Sequence, residues 1–131
     1  LPDIKTDHDI RTFVDDFYAK VTRDPLLGPV FNDIAQVNWG EHLPTMYSFW
    51  GSMLLGSRTY KGVPFPPHAA LGAHITPAHF ARWVELFTAT IDQLFHGETA
   101  DTAKQRAINI AFIFQSKLAM LSRDNAPSPS H

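Results

Sequence analysis

Apolar positions along the chain fall into four stripes with a helical period, separated by stretches rich in proline and glycine. The first stripe is Ile10, Phe13, Val14, Phe17, Tyr18 and Val21, a spacing that puts all six on one face of a helix. Thr6, followed three residues later by Asp9, offers a start, and Pro25 limits extension. A turn-rich link, D-P-L-L-G-P-V-F, ends on Phe31. The second stripe is Trp39, His42, Leu43, Met46, Trp50, Met53 and Leu54, and Gly56 stops it. Pro44 has no amide to donate and presses on the carbonyl of Gly40, so this helix is expected to kink there or to begin near Leu43.

The third helix has Thr76 as cap and Pro77 in its first turn, with Phe80, Trp83, Val84, Phe87, Ile91, Leu94 and Phe95 as its stripe, and it ends by Gly97. The fourth is expected from about Thr99 to Ser122, turning Ala107, Ile110, Ala111, Phe114, Leu118 and Leu121 inward. Between the second and third, Gly56 to Pro67 holds three prolines and two glycines and reads as a long loop of the kind that is functional or disordered. No sustained apolar–polar alternation bounded by turns is present, so no strand is expected. The pattern predicts an all-α bundle interrupted by one proline-rich loop.

Composition narrows this picture. A chain of 131 residues with 44% hydrophobic and 18% charged positions is globular, and its length fits one domain. That domain is expected over 1–123, with 124–131 (D-N-A-P-S-P-S-H) as a disordered tail. The net charge of −2 offers no basic field for phosphates, so nucleic acid is not an expected partner. The absence of cysteine excludes disulfides, thiolate metal sites, iron–sulfur clusters and cysteine nucleophiles. No apolar run approaches the roughly 18 residues of a membrane helix and no signal-peptide core is visible, so a cytoplasmic location without membrane association is expected.

Seven histidines raise the question of a metal, yet no His-Glu-x-x-His or similar zinc spacing occurs. A single histidine on an apolar stripe is more often an ordinary core or surface residue than a ligand. Two have a more telling context. His42 shares its stripe with Trp39, Met46 and Trp50, and His68 sits between F-P-P and A-A-L at the end of the long loop. Haem needs one imidazole on iron, an apolar slot and few polar groups near the open face. Stripes rich in aromatics and methionine suit such a slot and suit a plain core equally, and periodicity does not choose. Tyr18 and Trp83 also face inward, where a hydroxyl and an indole N–H need partners. Each either reaches a backbone carbonyl or joins the other, with a histidine, around a cavity for a small polar diatomic ligand.

Several ordered motifs bear on that choice: F-Y-A-K-V (17–21), G-P-V-F (28–31), F-W-G-S-M-L-L-G (49–56), Tyr60-Lys61-Gly62, H-A-A-L (68–71) and H-F-A-R-W (79–83). Through them the chain resembles the group III truncated haemoglobins from about Asp9 to Leu121, and like them it lacks the Gly-Gly pairs of the other truncated groups. The resemblance implies a shortened globin fold, two helices over two around a b-type haem. It implies His68 as the proximal iron ligand, with His74 the alternative. It implies a distal side of Tyr18, Trp83 and His42, with Met46 at the neighbouring apolar position. Phe31, Phe49, Trp50, Met53 and Leu71 are then candidates for packing the haem, and Arg58 and Tyr60 for contacting its propionates. The implied function is reversible binding of dioxygen, nitric oxide or other diatomic ligands. A haem-dependent redox enzyme, a nitric oxide dioxygenase or peroxidase fed by a separate reductase, is the alternative. A cofactor-free helical interaction domain is the third reading.

Overall fold

The structure is a computed structural model that describes residues 1–34, 36–56 and 75–124. Four helices make up most of it: α1 (Asp7–Arg23), α2 (Trp39–Leu55), α3 (Pro77–Leu94) and α4 (Glu98–Asp124). No strand occurs among the described residues. Of the expected tail over 124–131, Asp124 is still helical, as the last residue of α4, and 125–131 lie outside the described residues, as do 57–74.

α1 begins as its sequence suggests. Thr6 caps it, accepting from the Asp9 amide at 3.2 Å, while the Asp9 carboxylate accepts from the Thr6 amide at 3.1 Å. It ends at Asp24, whose extended backbone (φ −72°, ψ 133°) is what a residue before proline prefers. The link then folds back on α1 so closely that a Cβ on Gly28 would lie 2.9 Å from the carbonyl oxygen of Thr22. A π-helical turn, Val30–Ile34, follows and presents Phe31.

α2 corrects one expectation. It begins at Trp39, not near Leu43, and is assigned without interruption through Pro44. The Asn38 carbonyl accepts from Glu41 and His42 at 3.1 and 2.8 Å, so the first turn closes before the proline is reached. What Pro44 withholds is one bond to Gly40, and a single missing bond near a helix start is tolerable when the apolar face downstream is packed.

The stripes find each other as two pairs, α1 with α2 and α3 with α4, stacked through the contact of α1 on α3. Phe13, fully buried, packs edge-on against Trp50 at 6.0 Å, Phe87 at 5.7 Å and Phe95 at 6.5 Å, joining α1, α2 and α3. Trp50 in turn stacks on Phe87 at 4.8 Å. Truncating such a ring to alanine typically costs about 3–5 kcal/mol. On α4 the buried positions are Leu118 and the small residues Ala100, Ala103, Ala107 and Ala111, and the alanines let its backbone approach α3. Ala100 and Ala103 extend the expected inward face by two turns toward the N-terminus, and the Leu121 side chain lies outside the described ones.

Two polar clips fix the helices' relative positions. Lys20 donates to Thr90 Oγ1 at 2.9 Å and to Gln93 Oε1 at 2.7 Å, tying α1 to α3. At the far end, Asp3 accepts from the Thr99 and Ala100 amides at 3.0 and 2.9 Å and so caps α4 from the other end of the sequence.

Candidate functional site

A cavity opens where the two helix pairs diverge. α1 contributes Tyr18, and the link contributes Leu27, Val30 and Phe31. α2 contributes His42, Met46, Phe49 and Trp50. His79, Phe80 and Trp83 form the side given by α3, with Ile75 just before its cap, and Ile110, Ala111 and Phe114 close it from α4.

Tyr18 is the most deeply set polar group of the lining, with its side chain buried. Its ring is caged by Phe31 at 6.1 Å, Trp39 at 5.4 Å and His42 at 5.0 Å. Burial pushes its phenol far above the usual value, because a phenolate has no water to solvate it there. Tyr18 is therefore a neutral O–H group at any working pH. Trp39 completes the cage by stacking on Phe31 (6.0 Å, 18° between planes) and meeting His42 edge-on at 5.5 Å. His42 is held on both sides by rings, and its Nε2 is buried. Trp83 stacks on Phe87 at 5.7 Å and meets Phe17 edge-on at 5.6 Å, which sets its indole against the cavity.

The α3 wall is anchored one residue before Trp83. Arg82 donates from Nε and Nη2 to Asp24 Oδ1, both at 2.7 Å, while Asp24 Oδ2 accepts from the Leu26 and Leu27 amides at 3.1 and 3.0 Å. Burial alone raises the Asp24 carboxyl, but the Arg82 bond and the two amides outweigh it and hold it below the usual carboxylate range.

Of the residues expected from sequence, Tyr18, Trp83, His42, Phe31, Met46, Phe49 and Trp50 meet on this one cavity. Met53 is partly buried against the core and does not line it. His68, Arg58, Tyr60, Leu71 and the alternative ligand His74 lie outside the described residues. Leu27, Val30, Ile75, His79, Phe80, Ile110, Ala111 and Phe114 line the cavity and were not anticipated as site residues. Phe80, Ile110, Ala111 and Phe114 carried a signal, since they lie on the inward stripes.

The family model for bacterial-like globins matches residues 3–116. The chain belongs to the bacterial-like globin family. Within it, the group 3 truncated hemoglobin ctb of Campylobacter jejuni is 35% identical over 105 residues, 78% of this chain and 82% of that protein. The crystal structure of a group III truncated hemoglobin from Campylobacter jejuni superposes with a TM-score of 0.79 at 32% identity, covering 88% of this chain and 92% of that one. The all-helical fold, with α1–α2 over α3–α4, is thus the truncated globin fold, and the protein is a haem-binding globin. Small diatomic ligands are what such a globin takes. The lining fits the haem chemically. A macrocycle with two apolar faces and two carboxylates on one edge needs an apolar slot open at one side, and this cavity is largely apolar and open. Among the described residues no helix is long and apolar enough to cross a membrane.

Proposed function

We propose that this globin binds dioxygen reversibly at a haem b iron ligated by His68, with Tyr18, Trp83 and His42 around the bound ligand. One observation supports the reading most: Tyr18, a phenol that burial keeps protonated, lines the same cavity as Trp83 and His42. The haem iron supplies the place where a diatomic ligand is held and where an electron can be gained or lost. The chain's residues do the rest. Tyr18 and Trp83 donate O–H and N–H toward a ligand with partial negative charge. Phe31, Met46, Phe49 and Trp50 exclude water. Arg58 and Tyr60 are the proposed propionate contacts, and Met53 and Leu71 further packing.

The test is spectroscopic. Purified protein is expected to show a Soret band, and His68→Ala is expected to lose the five-coordinate histidine spectrum while His74→Ala keeps it. The reverse result assigns the ligand to His74. Two neutral donors on one bound ligand hold it tightly, which favours chemistry on that ligand over its delivery. The second reading is therefore a redox enzyme, a nitric oxide dioxygenase or peroxidase served by a separate reductase. The proposed compartment is the cytoplasm.

A further inference from the structure

His79 lines the cavity and at the same time closes the cap of α3. Its Nδ1 accepts from the Thr76 backbone amide at 3.0 Å and lies 2.9 Å from Thr76 Oγ1. A backbone N–H only donates, so Nδ1 carries no proton in this arrangement. In a neutral imidazole the proton is then on Nε2. That assignment has two consequences. An iron ligand binds through an unprotonated nitrogen, so His79 held this way does not ligate through Nε2. The edge of the ring away from Thr76 is instead a fixed donor, available to an acceptor on a bound group.

We infer that His79 is a binding residue for a carboxylate of the haem, donating Nε2–H to a propionate at the cavity mouth. The inference rests on the haem reading above and goes beyond it. His79 is half-buried, the three residues before it, Thr76 to Ala78, are exposed, and its bonds to Thr76 lie at the exposed surface, so it stands at the solvent end of the lining and not beside the deeply buried Tyr18. The two propionates are the haem's charged groups, and charge belongs at the open edge because burying it unpaired is costly. Donor and acceptor therefore meet on the same rim. The Thr76 cap holds the tautomer, as an outer hydrogen bond commonly does for a functional imidazole, so haem seating and the start of α3 share one side chain.

Two substitutions separate this role from capping. His79→Gln keeps an acceptor for the Thr76 amide and a side-chain N–H. His79→Glu keeps the acceptor but sets a negative charge where the donor was. Haem transfer from each holoprotein to an excess of apomyoglobin is the measurement, with the thermal midpoint as the control for the cap. The Gln variant is expected to release haem near the wild-type rate. The Glu variant is expected to release it roughly ten- to a hundredfold faster, the range for losing a charge-assisted hydrogen bond, with its midpoint in the absence of haem unchanged. Reconstitution with the haem dimethyl ester, which has no carboxylates, should erase the difference between wild type and His79→Glu. Release from His79→Glu at the wild-type rate, or an equal acceleration with the ester, overturns the inference while leaving the haem reading intact. A wild-type protein that takes up no haem overturns both. Nitrogen-15 spectra of the carbon monoxide-saturated ferrous protein give a direct check: the Nε2–H tautomer at His79 supports the assignment, and the Nδ1–H tautomer ends it.

Discussion

At Tyr18 and Asp24 the chemistry of one side chain decides the outcome. Tyr18→Phe leaves the ring in its cage of Phe31, Trp39 and His42 and removes only the O–H. A hydrogen bond to a charged partner is worth about 1.5–3 kcal/mol, so oxygen release should quicken roughly ten- to a hundredfold. Trp83→Phe should act in the same direction and non-additively, since both donors serve one ligand; stopped-flow off-rates of the two single variants and the double variant are the check. Asp24 tests stability instead. Asp24→Ala strands the Leu26 and Leu27 amides and should cost about 1–3 kcal/mol in urea unfolding. Because the folded carboxyl is depressed, its contribution is full above its unfolded value near 3.9 and fades as pH falls through the lower folded value. The stability difference between wild type and Asp24→Asn should thus be constant from pH 5 to 7, by the same reckoning, and shrink below about pH 4. Tyr18 was legible as a site residue because an apolar stripe placed a hydroxyl inside. The partnership of Asp24 with Arg82, 58 positions apart, has no local signature at all.

Elements were legible where their ends are local. The Thr6–Asp9 box and the Thr76-Pro77 start lie within a few residues of the helices they open. The start of α4 was placed near Thr99, but what caps it is Asp3, which nothing in periodicity ties to residue 99. Gly97 shows how tight that junction is: its φ is +146°, and a Cβ there would fall 2.5 Å from Asp3 Cγ. Gly97→Ala should therefore destabilise by about 1–3 kcal/mol through backbone strain and displacement of the cap. Asp3→Ala should cost about 0.5–2 kcal/mol as a lost cap. The double variant should cost less than the sum, because the alanine at 97 then displaces no capping carboxylate, only the Cβ at position 3 that would lie 2.8 Å away. Thermal unfolding of the four proteins measures the coupling, and strict additivity would disconnect the two positions. α2 makes the complementary case. Its proline suggested a late start, whereas the downstream face, Met46 to Trp50 against the core, carries the helix past it. His42 sits in that first stretch, pressed between Tyr18 and Trp39 on the cavity wall, and its proposed role is to gate the approach to the iron. His42→Ala is expected to speed ligand association with little change in release, and flash photolysis separates the two rates.

For the whole molecule, the question is what four helices around one cavity can sustain. Conversion of nitric oxide and dioxygen to nitrate, NO + O2 + e⁻ → NO3⁻, takes up one electron per turnover. A protein that runs the reaction repeatedly must receive that electron each time from a donor. Nicotinamide or flavin donors need a dinucleotide site, whose usual form is a strand, a glycine-rich turn and a helix. The described part of this chain has no strand, its 131 residues hold no such glycine fingerprint, and no cysteine pair is present to relay electrons. The cavity lining is mainly aromatic and aliphatic, suited to a small ligand and a macrocycle rather than to a second cofactor. These 131 residues in isolation should therefore convert at most about one equivalent of nitric oxide per haem, whatever the supply of NADH. The measurement is nitrate formed after mixing the oxygenated protein with several equivalents of nitric oxide and NADH, with and without an added flavin reductase. Nitrate is expected to stop near one equivalent without the reductase and to continue with it. Continued formation without it would place the electron entry inside this chain, and the reading of the cavity as a site for one cofactor would have to be given up.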